Sequence, residues 1–131
     1  ALALRAVVEP GAAELAAARG IGADDRERLR AAHADYLAAD GPARRVADSR
    51  WHILVAELSG SVSVAAAVAD VQGRLDDLLA SIPVFGVNIN HSAAQHRRIT
   101  KAIVDGDPAR ARTAMRDHID GTAALLRGLL A

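Results

Sequence analysis

The stretch SAAQHRRITKAIVDGDPARARTAMRDHI, residues 92–119, predicts two helices separated by a short break. Gly106 ends the first helix, Asp107 supplies an N-cap side chain, and Pro108 suits the first turn of the second helix. Apolar residues recur three or four positions apart on both sides of the break, as they do in amphipathic helices. A connection this short makes the two helices antiparallel neighbours.

The rest of the 131-residue chain has the same helical spacing, and no stretch alternates between apolar and polar residues as a strand would. The sequence therefore predicts an all-α fold, an antiparallel bundle of about six helices in one domain, residues 1–131. Pro10 is expected to kink or restart the first helix. Pro83, Gly86, Asn88 and Asn90 are expected to mark a loop, and the fifth helix is expected to start near Asn90. The predicted helices lie at about 2–19, 23–39, 42–59, 62–82, 90–106 and 108–130.

Composition excludes several functions. The formal net charge is zero, so the chain has no basic field for nucleic acid, and any DNA contact requires another domain. Cysteine is absent, which rules out disulfides and thiolate metal sites and fits a cytoplasmic location. No apolar run is long enough for a membrane span, and no signal peptide is visible. Met115 is the only methionine and the chain begins with Ala1, so we expect it to be part of a longer protein.

Four polar residues fall within the apolar faces of the predicted helices. Asp48 and His52 are four positions apart on one face of the third helix. His96 lines up with two isoleucines of the fifth helix, and His118 with alanines and the methionine of the sixth. Burying such groups without partners costs a few kcal/mol each, and one divalent metal ion would satisfy all four. Four ligands leave one or two positions open on an octahedral ion.

Helical spacing alone also allows a metal-free interpretation. A single histidine on an apolar face is more often a core residue bonded to a carbonyl or carboxylate group. Asp48 can simply orient His52, and His96 and His118 can pair with each other across adjacent helices. Both interpretations therefore remain open on this pattern.

Three stretches, in this order, resemble the FadR-type C-terminal domain, FCD, of GntR-family bacterial transcription regulators. LRAVVEPGAAELAAARG, residues 4–20, is similar to the family's first helix, and DSRWH, residues 48–52, to its Asp-x-x-Phe-His motif. Residues 92–119 are similar to its Ser-x-x-Glu-His and Met-x-x-His-Ile run. Trp51 stands where the family has Phe, and Gln95 where it usually has Glu.

The resemblance implies that Asp48, His52, His96 and His118 hold a divalent transition metal, with zinc favoured over nickel or manganese. Arg5 occupies the first-helix arginine position, which often faces the effector pocket, and its paired donors suit a carboxylate. The effector is expected to be a small carboxylate that binds at the metal. The resemblance also implies a homodimer, and operator DNA bound only through a winged helix-turn-helix domain that lies upstream and is absent from this chain.

The function predicted from the sequence is that of an effector-sensing and dimerisation domain of a metabolite-responsive transcription regulator, which is not an enzyme and has no catalytic residue. The alternatives are a metal-dependent hydrolase on a helical bundle and a metal-free structural bundle. Glu57, one turn beyond His52, is the nearest candidate base but belongs to no motif. His91 is expected to be exposed at a helix start, and His33 to be an interface or partly buried residue without a chemical role.

Overall fold

The structure, a computed structural model, describes residues 1–80 and 86–130, with side chains described over 1–80 and 90–128. These residues form six helices and no strand, so the predicted all-α bundle is confirmed. None of the described helices combines the length and apolar character needed to cross a membrane. The helices are α1 (Leu2–Arg19), α2 (Ala23–Ala38), α3 (Gly41–Leu58), α4 (Val62–Leu79), α5 (Gly86–Val104) and α6 (Pro108–Leu130).

Helix α1 lies at the centre of the packing. It runs along α6 and also contacts α3, α4 and α5, while α2 covers α3 and α5. Its buried residues include four alanines, and such small side chains let the neighbouring helices approach closely. Larger residues from the surrounding helices complete the core, among them Leu29, Trp51, Ile99, Ile103 and Met115.

Local sequence signals account for most helix ends. Asp107 caps α6 as predicted, because its Oδ1 accepts a hydrogen bond from the Arg110 backbone N–H at 3.1 Å. Gly60 follows α3 with φ of +79°, a conformation that favours glycine. Helix α1 continues through Pro10, although we expected a kink or a restart there. Residues on both sides of Pro10 are buried, and this packing holds α1 in one piece.

The start of α5 differs from the prediction. The helix begins at Gly86, so Asn88 and Asn90 lie inside it rather than in a loop. Asparagine disfavours a helix interior by less than about 1 kcal/mol relative to alanine, which packing can outweigh. Pro83 and the predicted last residues of the fourth helix lie outside the described residues.

Candidate metal centre

Helices α3, α5 and α6 bring the three predicted histidine ligands together, and Asp48 lies beside two of them, His52 and His96. The Nε2 atoms of His96 and His118 are 3.2 Å apart. Asp48 Oδ1 lies 3.1 Å from His96 Nε2 and 3.4 Å from His52 Nε2. The three imidazoles are buried, and their candidate ligand atoms all lie within 4.8 Å of one another. The Asp48 side chain is 27% exposed, so the centre borders solvent on that side.

These distances fit a single metal ion. Bonds of about 2.0–2.1 Å to nitrogen place adjacent donors roughly 2.8–3.4 Å apart in octahedral or tetrahedral coordination. Three separations between candidate ligand atoms, 3.1, 3.2 and 3.4 Å, fall in that range. Imidazole nitrogens with one carboxylate oxygen form a donor set suited to divalent transition metals. The arrangement can therefore hold such an ion, while the ligand role of each residue stays a prediction.

Two of the histidines have outer partners that fix their tautomers. His118 Nδ1 is 2.6 Å from Gln95 Oε1, and an amide oxygen only accepts, so Nδ1 carries the proton and Nε2 faces the centre as a lone pair. His52 Nδ1 is 2.5 Å from Glu9 Oε1, a close ion pair that falls short of an aligned hydrogen bond. In the neutral form of His52 this contact leaves Nε2 as the lone pair facing the centre, whereas the charged form carries a proton on both ring nitrogens. His96 Nδ1 is buried without a hydrogen-bond partner.

Aromatic rings enclose His96. The Trp51 ring stacks on it, with centroids 4.3 Å apart and an interplanar angle of 17°. The indole N–H of Trp51 donates to Thr100 Oγ1 at 3.1 Å, which holds that stack in place. The Tyr36 ring lies 4.5 Å away on another side. Because Trp51 is the only tryptophan of the chain, its fluorescence should report on changes at His96.

Arg5 also reaches the centre, from α1. It is 2% exposed, and its Nη2 lies 3.2 Å from His52 Nε2. Its Nε donates to Glu9 Oε2, which also accepts a hydrogen bond from Gln72 Nε2 at 3.1 Å. The structure thus places Arg5 beside the predicted ligands, as its expected role requires, although effector binding by Arg5 stays a prediction.

The sequence analysis missed Glu9 and Gln72. Glu9 is four residues from Arg5, on the buried alanine face of α1, and Gln72 lies within the buried valine and leucine face of α4. Both are polar residues on apolar faces, the criterion that selected the histidines. The same criterion, applied to α1 and α4, would have selected both residues.

Burial and neighbouring charges shift the pKa values of the side chains at the centre, some upward and some downward. Burial opposes ionisation of Glu9, but His52 and Arg5 outweigh it and lower the pKa of Glu9 to about 2. Burial likewise opposes the charge on His52, but Glu9 and Asp48 outweigh it and raise the His52 pKa to about 9. Burial lowers the pKa of His96 and His118, most strongly for His118, where the neighbouring His96 adds to it.

These shifts predict that stability in the presence of a chelator peaks near pH 6.5. Unfolded histidine binds a proton below about pH 6.5, whereas folded His96 and His118 resist protonation, so stability falls as the pH drops below that value. His52 has a raised pKa, so its contribution is complete below about pH 6.5 and is lost as the pH rises through 9. Urea unfolding in EDTA from pH 5 to 10 measures both sides of this pH profile, the acid limb below about pH 6.5 and the alkaline limb above it.

A His52→Gln variant serves as the control for this pH profile. It should lose much of the alkaline limb and keep the acid limb, which belongs to other histidines. Wild-type stability that continues to rise from pH 7 to 9 would contradict the assignment of a charged His52 to the folded protein.

Three other residues were considered from the sequence, and none of them forms a hydrogen bond or ion pair with the four predicted ligands. His91 is exposed, as predicted. Glu57 is 51% exposed and its carboxylate lies 3.7 Å from Arg28, so it is not a base facing the centre. His33 is partly buried, as predicted, with its ring 6.3 Å from that of His96 and both ring nitrogens without a hydrogen-bond partner.

Fold and centre together define a small helical domain that encloses a histidine-rich site able to hold a metal ion. The sequence model of the family described as FCD domain matches residues 1–121. The chain belongs to this family, which confirms the resemblance of its three sequence motifs. An FCD domain is an effector-sensing regulatory domain. No curated protein matches the chain.

Proposed function

We propose that this chain is the effector-sensing and dimerisation domain of a metabolite-responsive transcription regulator, and that it binds a small carboxylate at a divalent metal. One observation carries the proposal: a buried guanidinium, that of Arg5, lies beside the converging candidate ligands. A metal site alone fits many functions. A metal site next to a buried arginine fits an anionic oxygen ligand, because both groups attract the same charge.

Asp48, His52, His96 and His118 would hold the ion, with zinc favoured over nickel or manganese. A bound divalent ion supplies positive charge and open coordination positions for an oxygen ligand. The Nε of Arg5 donates a hydrogen bond to Glu9, and its Nη2 points toward the centre. The guanidinium is therefore oriented by α1 before any effector arrives, and this lowers the entropic cost of binding.

The buried carboxylate next to the centre supports sensing over hydrolysis. Glu9 Oε2 accepts hydrogen bonds from Arg5 and Gln72, and Oε1 lies 2.5 Å from His52 Nδ1. A group so engaged is a poor general base, because a base needs a lone pair within reach of the reacting water. We therefore propose that the domain is not an enzyme.

Dimerisation and control of DNA rest on the resemblance to GntR-family regulators. In this proposal the effector binds one arrangement of the helices more tightly than another, and the difference shifts the population of the regulator. The centre joins α1, α3, α5 and α6, so an effector held there contacts most of the bundle at once. Operator DNA would bind to a separate winged helix-turn-helix domain.

A thermal-shift panel of small carboxylates tests the proposal. With zinc present, one of them should raise the melting temperature of the wild type. At a concentration a hundred times its dissociation constant, the ligand adds about 2.7 kcal/mol of stability. Arg5→Lys keeps the charge but loses the paired donors, so the shift should shrink. Metal-dependent turnover of esters or amides, or an equal response from Arg5→Lys and wild type, would contradict the proposal.

A further inference from the structure

The buried polar atoms without a hydrogen-bond partner are concentrated on two neighbouring rings. Over the side chains that the structure describes, five such atoms are present. Two of them, Glu9 Oε1 and His52 Nδ1, lie against each other in a close ion pair. The other three are His96 Nδ1 and both ring nitrogens of His33. Because a buried polar atom destabilises the fold when it stays unpaired, these three nitrogens indicate a shared partner.

His96 is the candidate ligand that needs such a partner. Its Nε2 faces the centre beside His118 Nε2, so Nδ1 is the nitrogen left to carry a proton when Nε2 binds a metal ion. A histidine that binds metal almost always donates this second N–H to a carboxylate, a carbonyl or a water molecule. The other two histidines of the centre have Glu9 and Gln95 in this place. His96 therefore requires an outer partner from elsewhere.

The surroundings of His96 point to His33. Among the described side chains, five aromatic rings pack around His96, and two of these belong to the other histidines of the centre. The polar groups of Trp51 and Tyr36 form hydrogen bonds with side chains other than His96. The fifth ring is that of His33 on α2, which lies edge-on to His96 with its nitrogens unpaired.

A single water molecule is the right size to join the two rings. Their nitrogens form no direct hydrogen bond, and the ring centroids are 6.3 Å apart. With bonds of about 2.8–3.0 Å on each side, one water connects nitrogens up to roughly 6 Å apart. Nitrogens on the facing sides of two rings lie closer together than the centroids do. A buried water also needs at least two polar partners, and these two rings offer three nitrogens.

We propose that His33 is the outer partner of His96: one buried water accepts a hydrogen bond from His96 Nδ1 and donates one to a ring nitrogen of His33. The proposal rests on the proposed function, because it assigns His96 to the metal. His33 is then a positioning residue that acts through His96 and aims its Nε2 at the ion. It also links the centre to α2, which supplies none of the four predicted ligands.

Co²⁺ titration at pH 8, followed by visible absorption, tests this role, because an unperturbed histidine is neutral at about that pH. His33→Leu should weaken Co²⁺ binding by about 10–100-fold, as the loss of an outer partner does. His33→Asn and His33→Gln place an amide near the position of one ring nitrogen or the other. One of them should restore affinity to within about threefold of the wild type, since a water-mediated bond needs only an acceptor there. A structural role alone predicts the reverse order, because leucine fills a buried space better than an amide does.

His91→Leu is the control, because it removes an exposed histidine, and it should change Co²⁺ affinity by less than about twofold. Nitrogen NMR of the zinc-loaded wild type gives a measurement that needs no variant. It should show the His96 Nδ1 proton in cross-relaxation with a bound water, and one His33 nitrogen accepting a hydrogen bond.

The role of His33 is overturned if His33→Leu binds Co²⁺ as tightly as the wild type, if neither amide variant restores affinity, or if the His96 proton shows no contact with water. If the wild type itself binds no Co²⁺, the proposed function is overturned as well. The two failures are therefore distinguishable.

Discussion

A variant carrying His96→Leu and His118→Leu is expected to lose metal binding while keeping its stability in a chelator. Losing the hydrogen-bond partner of a metal ligand lowers metal affinity by about 10–100-fold. Removing two direct ligands should therefore lower it by well above a hundredfold. The two Nε2 atoms contact each other at 3.2 Å, and replacing both members of a buried polar pair by apolar groups is close to neutral or stabilising.

Co²⁺ titration and thermal melts with and without zinc measure the two effects. Zinc should raise the melting temperature of the wild type and leave that of the double variant unchanged. His91→Leu, on the exposed side of α5, is the matched control and should bind Co²⁺ as the wild type does. Wild-type affinity in the double variant would show that the metal lies elsewhere. A large loss of stability in the chelator would favour a structural role for both histidines.

The agreement between sequence and structure at the four candidate ligands has a simple physical basis. A polar residue at a core position of an amphipathic helix must find a partner, and helical spacing shows which residues share a face. Asp48 and His52 on one helix, with His96 and His118 on two others, could therefore be selected from spacing alone. That they share one centre depends on how the helices pack, and here the family resemblance supplied what spacing could not.

Helical spacing could have selected Glu9 and Gln72, but it could not show that they form one network with Arg5. Arginine is usually exposed, and the burial of Arg5 depends on Glu9, which depends in turn on His52 and Gln72 from other helices. Such a network is stable only when all its members are in place. The sequence shows each polar residue on its own helix, whereas the distances between them follow from tertiary packing.

The predicted start of α5 was wrong for a different reason. Asn88 and Asn90 were interpreted as loop residues from their local preference, and the helix includes both. Local preferences of less than about 1 kcal/mol per residue decide a helix boundary only where packing favours neither the helix nor the loop. Asp107 shows the opposite case, because its side chain bonds directly to the backbone it caps.

The largest loss of stability is expected from Glu9→Ala, at about 3–5 kcal/mol in the free energy of unfolding. The substitution leaves the Arg5 guanidinium, 2% exposed, without its counter-ion, and it removes the acceptor of Gln72. A loss of this size should lower the melting temperature by roughly 10–20 °C in a domain of this length. Urea unfolding in a chelator measures it without a contribution from metal.

Two further variants separate the buried charge from other effects. Glu14→Ala, also on α1, breaks an ion pair with Arg112 in which both side chains are more than 40% exposed, so it should cost less than about 1 kcal/mol. Arg5→Met combined with Glu9→Leu removes both charges and should recover most of the loss, since apolar groups often replace a buried ion pair without cost. That double variant should still fail to bind the carboxylate. If Glu9→Ala costs no more than Glu14→Ala, another group must compensate Arg5, and the network that orients it toward the centre is wrong.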